Sequence, residues 1–399
     1  IEDIVNSNAT PFYLYSQKII NETYNELINN LSAEIFYAIK ANSNQAILTL
    51  MKNCGAGADV VSAGELQRSL TAGFSPNKII FEGVGKSKED IEYAINQNIR
   101  MINAESINEI LLINEIARKL NRQINIGVRL NPNIDGKTLN KISTGKSTDK
   151  FGIGIQNIFE IITLIKSLNN IKLNGISCHI GSQISDISIF EKVFTEMKNT
   201  AEIIISNGIK IEHLDLGGGF NVNYEHDNNN FDINSIGKLV NSIFKNTSYK
   251  ISFEPGRYLI AKAGIVITKI LTVKENGGIN FLITDAGMQT LIRPAMYNAF
   301  HRIDALNDLD KENKLYNIAG PICESSDILA TKVELPEQKA ENFLAIYDTG
   351  AYGASMASNY NSRGIPAEIL VNENKFSIIH KQEKIKDIIE RDSIPDWLN

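Results

Sequence analysis

Cysteine is scarce in this chain: three residues among 399, Cys54, Cys178 and Cys323. The number is odd and the spacing wide, which excludes a disulfide framework and the paired thiols of a zinc site. Histidine is also sparse, at five residues, and His213, His226, His301 and His380 show no ligand spacing, so no metal is expected. Basic charge is not in excess. Forty Lys and Arg stand against 46 Asp and Glu, a net charge of -6, which provides no footprint for nucleic acid. No apolar run is long enough to span a bilayer. The opening residues Ile1-Glu2-Asp3 are not a basic region followed by an apolar one, so no secretory signal is expected. These absences together predict a protein of the reducing cytoplasm without a membrane partner. Internal repeats and extended low-complexity segments are missing as well.

What remains is an ordinary globular composition, 43% hydrophobic and 22% charged, with length enough for two domains. From Glu34 to Arg257, short apolar runs alternate with amphipathic stretches. Strands are predicted at 35–40, 58–61, 79–82, 101–103, 124–130, 175–180, 213–217 and 251–254. Ser62 with Glu65, Ser87 with Asp90, Ser106 and Asp186 mark helix starts between them, and Gly73 and Gly208 mark helix ends. Strands separated in this way by helices fit a closed (β/α)8 TIM-type barrel, with a doubly wound open sheet as the competing α/β reading. Lys40, Asp59, Glu82, Asn103, Arg129, His179, Gly217 to Gly219 and Glu254 each end or follow an apolar run. In a barrel those positions share one face, the face on which active sites are built. After Arg257 the texture becomes β-rich, with apolar runs at 265–271, 280–284, 343–347 and 367–371. A second, mainly β sandwich or barrel domain is predicted, with Phe12-Tyr13-Leu14-Tyr15 joining it from the amino end. The boundaries expected are 18–262 for the barrel and 1–17 with 263–399 for the β domain. The stretch from Asn221 to Asn230 reads as a solvated loop.

Particular side chains carry the chemistry. Phe36-Tyr37-Ala38-Ile39-Lys40 reads as a core strand ending on a lysine. Partly desolvated, such a lysine can serve as a nucleophilic amine. The alternative is a lysine that snorkels to solvent. Gly217-Gly218-Gly219 after a strand permits close approach and leaves backbone N–H groups for an anion. The spacing lacks a dinucleotide fingerprint and suits a lone phosphate. Glu254-Pro255-Gly256-Arg257 places a carboxylate at a sharp turn. There it can pair with a protonated ring nitrogen of the pyridoxal phosphate type, or simply with Arg257. His179 can stack on a flat ring, act as an acid once protonated, or be a satisfied core residue. Cys323 by itself reads as a small buried apolar residue.

Seven blocks, in order and spread over nearly the whole chain, resemble the diaminopimelate decarboxylases, of the alanine-racemase-like (fold type III) class of pyridoxal-phosphate enzymes. They are Tyr37-Ala38-Ile39-Lys40-Ala41-Asn42, Cys178-His179-Ile180-Gly181-Ser182-Gln183, Gly217-Gly218-Gly219-Phe220, Glu254-Pro255-Gly256-Arg257, Arg293-Pro294-Ala295-Met296-Tyr297, Gly320-Pro321-Ile322-Cys323-Glu324-Ser325-Ser326-Asp327, and Gly350-Ala351-Tyr352-Gly353. The resemblance implies a barrel plus a β domain that completes the active site, and a homodimer with the sites at its interface. It implies that Lys40 holds pyridoxal 5'-phosphate covalently, that His179 stacks on its ring and that Glu254 faces its nitrogen. Asp59, Ser182, Gly217, Gly218, Gly219, Gly256, Arg257 and Tyr352 would complete the cofactor site. Arg257, Arg293, Tyr297, Glu324 and Tyr352 would bind substrate, with Cys323 and Glu324 supplied by the partner subunit. One departure is Leu139, where many relatives carry histidine. The Gly, Lys, Ser and Thr content of 136–149 reads as a loop over the site.

The implied reaction is decarboxylation of meso-2,6-diaminopimelate to L-lysine and carbon dioxide, the last step of lysine biosynthesis. Cys323 is the candidate proton donor, with Lys40 or His179 as alternatives. Arg293 or Arg257 offers a planar fork for a distal carboxylate. The competing substrates are ornithine and arginine, but relatives acting on these usually carry Asp where Glu324 stands. A racemase would place arginine, not Glu254, opposite the ring nitrogen. A non-catalytic cofactor-carrying relative would have no use for Arg293, Cys323 and Glu324.

Overall fold

The computed structural model describes residues 2–136, 144–145, 148–225 and 231–398. Leu139 and His226 lie outside the described residues, as does most of the 136–149 loop. In chain order the strands begin with β1 (Phe12–Ser16), β2 (Glu34–Ala38), β3 (Gly57–Val60), β4 (Ile79–Phe81) and β5 (Met101–Ala104). They continue with β6 (Ile124–Asn131), β7 (Ile153–Gly154), β8 (Ile171–Ser177), β9 (His213–Asp215) and β10 (Lys250–Phe253). The last group is β11 (Gly264–Asn276), β12 (Ile279–Thr284), β13 (Ile303–Ala305), β14 (Asn313–Ala319), β15 (Ile328–Pro336), β16 (Phe343–Ile346), β17 (Ala367–Asn372) and β18 (Lys375–His380).

The chain divides into two compact units, one of Asn21–Val222 with Asn229–Leu259, the other of Ile1–Ile20, Asn223–Asn228 and Ile260–Asn399. In the first unit all neighbours pair in parallel, in the order β5-β4-β3-β2-β10-β9-β8-β6, and β5 pairs with β6 to close the ring. β7 only extends β6. The closed barrel of eight strands therefore replaces the open-sheet alternative. Its closure follows from strands that are apolar on both faces, as a buried parallel sheet requires.

Helices between strands start where side chains can satisfy orphan N–H groups. Ser87 and Asp90 form a reciprocal capping box, Ser87 Oγ accepting from Asp90 N at 3.0 Å and Asp90 accepting from Ser87 N at 2.9 Å. Ser62 and Ser106 accept from the N–H of Glu65 and Glu109 at 3.2 and 3.1 Å. Glu65 reaches back to Val61 N rather than to Ser62. Asp186 caps the long helix Ile187–Ser206, whose Phe190 and Phe194 pack with Phe220 and Phe253 at ring separations near 6 Å. Most strand boundaries differ from expectation by one to four residues, with β8 ending at Ser177 and β9 at Asp215. β8 starts at Ile171, four residues early, because Lys172 is exposed while its neighbours are buried. β2 ends at Ala38, and Ile39–Ala41 form a single 3-10 turn.

The second unit is a mixed nine-stranded sheet along the path β15-β14-β12-β11-β1-β17-β18, with β13 and β16 branching from β11. β1 pairs antiparallel with β11 and parallel with β17. It thus lies in the middle of the sheet, with Phe12, Tyr13 and Tyr15 wholly buried. A solvated loop at 221–225 is not what forms: Val222 and Tyr224 are buried.

Candidate active site

The polar residues that ended the apolar runs meet at one end of the barrel. Lys40, in the turn after β2, sends Nζ to 3.3 Å from Asp59 Oδ2 on β3. The lysine side chain is 43% exposed and the carboxylate 1%, so it is Asp59, not Lys40, that is desolvated. Glu82 follows β4 and is buried. Its Oε1 accepts from Asn103 Nδ2 and, at 3.0 Å, from Ser177 Oγ. Asp215, at the end of β9, accepts from Gly217 N at 2.7 Å and from Ser252 Oγ. Glu254 follows β10 and is also buried.

Burial penalises the charge of each of these four carboxylates, and their mutual repulsion in one barrel mouth adds to this. Both effects push the carboxyl groups of Glu82 and Glu254 above the ordinary range, and that of Asp215 up to about 7. Asp59 Oδ1, Glu82 Oε2 and Glu254 Oε1 are buried without a hydrogen-bond partner among the described residues. Orphaned acceptors of this kind are costly unless something that donates occupies the space beside them.

His179 follows β8. Its Nδ1 accepts the N–H of Gly218 at 3.2 Å, which puts the ring proton on Nε2. Burial, Lys40 and Arg129 all hold the imidazole neutral, well below its usual range. The acid role open to His179 therefore loses support, and the neutral-ring reading gains it. A Cβ on Gly217 would meet Cys178 O at 2.4 Å, one on Gly218 would meet Glu254 O at 2.6 Å, and one on Gly219 would meet Gly181 O at 2.3 Å. Only glycine lets these three strand ends approach one another. The N–H groups of Gly217 and Gly218 are already engaged, so an anion does not find all three open, as the motif suggested. Arg257 does not pair with Glu254; it donates from Nε to Ser182 Oγ at 3.1 Å.

Glu105 carries no signal in the sequence. Buried after β5, it accepts from Arg129 Nη1 at 2.9 Å, from Gly83 N at 3.1 Å and from Gly152 N at 2.9 Å. It fixes the cation of the barrel mouth, and the guanidinium also lies 4.9 Å from the Phe151 ring. Lys86, its side chain fully buried, holds Glu109 at 2.9 Å, and Glu109 in turn accepts from Glu105 N.

In the second unit, Arg293 is buried and Tyr297 is half-buried, both on the short helix Arg293–Tyr297. Cys323 and Glu324 are exposed, so Cys323 is not the buried apolar residue that a lone cysteine suggests. They stand on a turn organised by Asp327, which accepts from Ile322 N at 2.7 Å and Met288 N at 2.6 Å. A Cβ on Gly320 would lie 2.4 Å from that carboxylate. Glu324 accepts from Tyr360 OH at 2.6 Å. Tyr352 adopts φ +56°, a left-handed conformation uncommon for a bulky residue, within Gly350-Ala351-Tyr352-Gly353. Among the described residues no group of three His, Cys, Asp or Glu side chains is arranged to hold a metal ion.

Residues 17–261 match the pyridoxal binding domain of the pyridoxal-dependent decarboxylases. The diaminopimelate decarboxylase of Zymomonas mobilis is 36% identical over 100% of this chain and 96% of its own length. That of Neisseria meningitidis serogroup B is 39% identical over 95% of this chain and 92% of its own. The crystal structure of the Helicobacter pylori diaminopimelate decarboxylase complexed with L-lysine superposes with a TM-score of 0.93 at 37% identity, covering 98% of both chains. The chain belongs to the diaminopimelate decarboxylase family.

Pyridoxal phosphate is the cofactor of this family, and the barrel mouth fits it. A diaminopimelate decarboxylase needs an amine to tether the cofactor, and Lys40 stands beside Asp59. It needs a buried carboxylate for a protonated pyridine nitrogen, and Glu254 Oε1 is buried without a partner.

Proposed function

We propose that this chain is a pyridoxal-phosphate-dependent carboxy-lyase that converts meso-2,6-diaminopimelate to L-lysine and carbon dioxide, the last step of lysine biosynthesis. The observation that carries the reading is the barrel mouth: a lysine beside Asp59, a neutral His179 and an orphaned Glu254 carboxylate, on a chain of this family.

When bound, pyridoxal phosphate supplies an electron sink for the pair left on the α carbon as carbon dioxide departs. Lys40 would hold the cofactor through its side-chain amine. Glu254 would favour a protonated ring nitrogen by charge pairing. His179 presents the face of a neutral ring, fixed by the Gly218 N–H. Asp59 orients the amine of Lys40. Ser182, Gly217, Gly218, Gly219, Gly256, Arg257 and Tyr352 surround the phosphate.

Diaminopimelate differs from ornithine in bearing a second carboxylate beside its distal ammonium. Arg293 is the planar fork for that carboxylate, Arg257, Tyr297 and Tyr352 line the substrate, and Glu324 pairs with the distal ammonium. Cys323 Sγ delivers the proton that the α carbon takes up. The β unit completes the site within a homodimer, Cys323 and Glu324 acting across the interface. The enzyme works in the cytoplasm; no helix among the described residues is long and apolar enough to cross a membrane.

Carbon dioxide release from meso-diaminopimelate, ornithine, arginine and lysine, each offered to the purified enzyme, tests the reading. Turnover is expected with diaminopimelate alone. Preferred turnover of ornithine or arginine would replace it with the basic amino-acid reading.

A further inference from the structure

Arg293 is a buried cation, and its surroundings in the second unit are specific. Nη1 lies 2.9 Å from Nε2 of His301. Nδ1 of the same ring lies 2.8 Å from the carbonyl oxygen of Tyr347. A carbonyl only accepts, so Nδ1 carries the ring proton and Nε2 is left to accept from the guanidinium. The backbone of Tyr347, just after β16, thus chooses the tautomer that Arg293 needs. The guanidinium also lies 4.9 Å from the centroid of the Tyr224 ring. That ring meets His301 edge-on, at 5.5 Å and 81°. An arginine side chain otherwise samples many rotamers. Here His301 and Tyr224 fix the plane of the guanidinium. A fork held in that way pairs bidentately with a carboxylate without first being ordered.

We propose that His301 is a positioning residue that aims the Arg293 guanidinium at the carboxylate retained in the product, with Tyr224 backing the same group. The inference rests on the reading that Arg293 binds that carboxylate. It makes the histidine a determinant of substrate choice, although the ring itself touches no substrate.

The test compares the holoenzyme with His301→Ala, His301→Gln, Tyr224→Leu and Arg293→Ala. It measures kcat and KM for meso-diaminopimelate, and competitive inhibition by L-lysine, which keeps the carboxylate, and by 1,5-diaminopentane, which has none. His301→Ala is expected to raise KM and the inhibition constant of lysine about tenfold, the loss typical of a hydrogen bond to a charged group. The inhibition constant of 1,5-diaminopentane should stay unchanged and kcat should stay within about threefold. His301→Gln retains an acceptor near the Nε2 position and should recover most of the loss. Tyr224→Leu leaves His301 in place and should show the same selective weakening, which guards against a His301→Ala protein that fails to fold. In the Arg293→Ala background, His301→Ala should add nothing further. Equal weakening of lysine and diaminopentane, or full additivity with Arg293→Ala, would overturn the proposal by reducing His301 to a structural role. If Arg293→Ala weakens lysine and His301→Ala does not, the positioning claim alone falls. If Arg293→Ala leaves lysine inhibition untouched, the carboxylate reading falls and takes the proposal with it.

Discussion

Asparagine in place of Asp215 is expected to make the cofactor-free protein more stable at neutral pH, although it removes a buried, doubly hydrogen-bonded carboxylate. Asp215 is 1% exposed, and burial together with Glu82 and Asp59 lifts its carboxyl from 3.8 up to about 7. A folded-state value above the unfolded one means that the unfolded chain gives up its proton first as pH rises. Stability is therefore lost between about pH 4 and pH 7 and is not regained above that. At about 1.4 kcal/mol for each pH unit of that gap, the full effect is about 4 kcal/mol. Asparagine removes the titration and keeps an acceptor for Gly217 N–H, and the Ser252 hydroxyl can turn to accept from its amide. Weakening of those two bonds returns about 1 to 2 kcal/mol, leaving a net gain of about 2 to 3 kcal/mol at pH 8 and a net loss of about 1 to 2 kcal/mol near pH 4. Urea unfolding of cofactor-free wild type and Asp215→Asn, followed at pH 4.5 and pH 8, measures it. Equal midpoints at pH 8, or a variant weaker at both values, would refute the idea that crowded buried charge destabilises this barrel mouth. The gain should shrink in the holoenzyme, where a cationic ring offsets the same charges.

Three further outcomes are expected. Lys40→Ala should lose the visible absorbance of bound cofactor and all measurable turnover, and activity near the wild-type rate would remove Lys40 from its role. His179→Phe keeps a flat ring, so kcat should fall by no more than about tenfold. The acidic limb of the pH–rate profile should not move, because burial, Lys40 and Arg129 hold the imidazole well below its usual range; a displaced limb would show that its protonation matters. Glu105→Ala strips the acceptor from Arg129, Gly83 N and Gly152 N. Breaking one side of a buried ion pair should cost about 3 to 5 kcal/mol in unfolding free energy, and a change under 1 kcal/mol would mean that water reaches the guanidinium.

How legible a feature was depended on how far apart in the chain its parts lie. Ser62, Ser87, Ser106 and Asp186 announce helix starts because a cap and its target are two or three residues apart. The barrel strands stand out because they are buried on both faces. β14 and β15 escaped notice because they are half-exposed, with Leu315 facing solvent and Lys332, Glu334 and other polar residues interrupting any apolar run. Glu105 and His301 carry no local signal. Each acquires meaning only from partners brought to it by the fold, Arg129 and Gly152 for the one, Arg293 and Tyr347 for the other.

The linear order of residues by itself determined the family, the alternation that closes into a barrel, and which side chains end its strands, since these depend on local spacing and on motifs a few residues long. Only the tertiary structure decided the protonation states and pairings within those ends. It decided that Asp59 rather than Lys40 is the desolvated partner, that the His179 proton sits on Nε2, and that Arg257 turns to Ser182 instead of Glu254. Charge, burial and tautomer are set by what stands within a few ångströms, and those neighbours lie up to 75 residues apart in the chain.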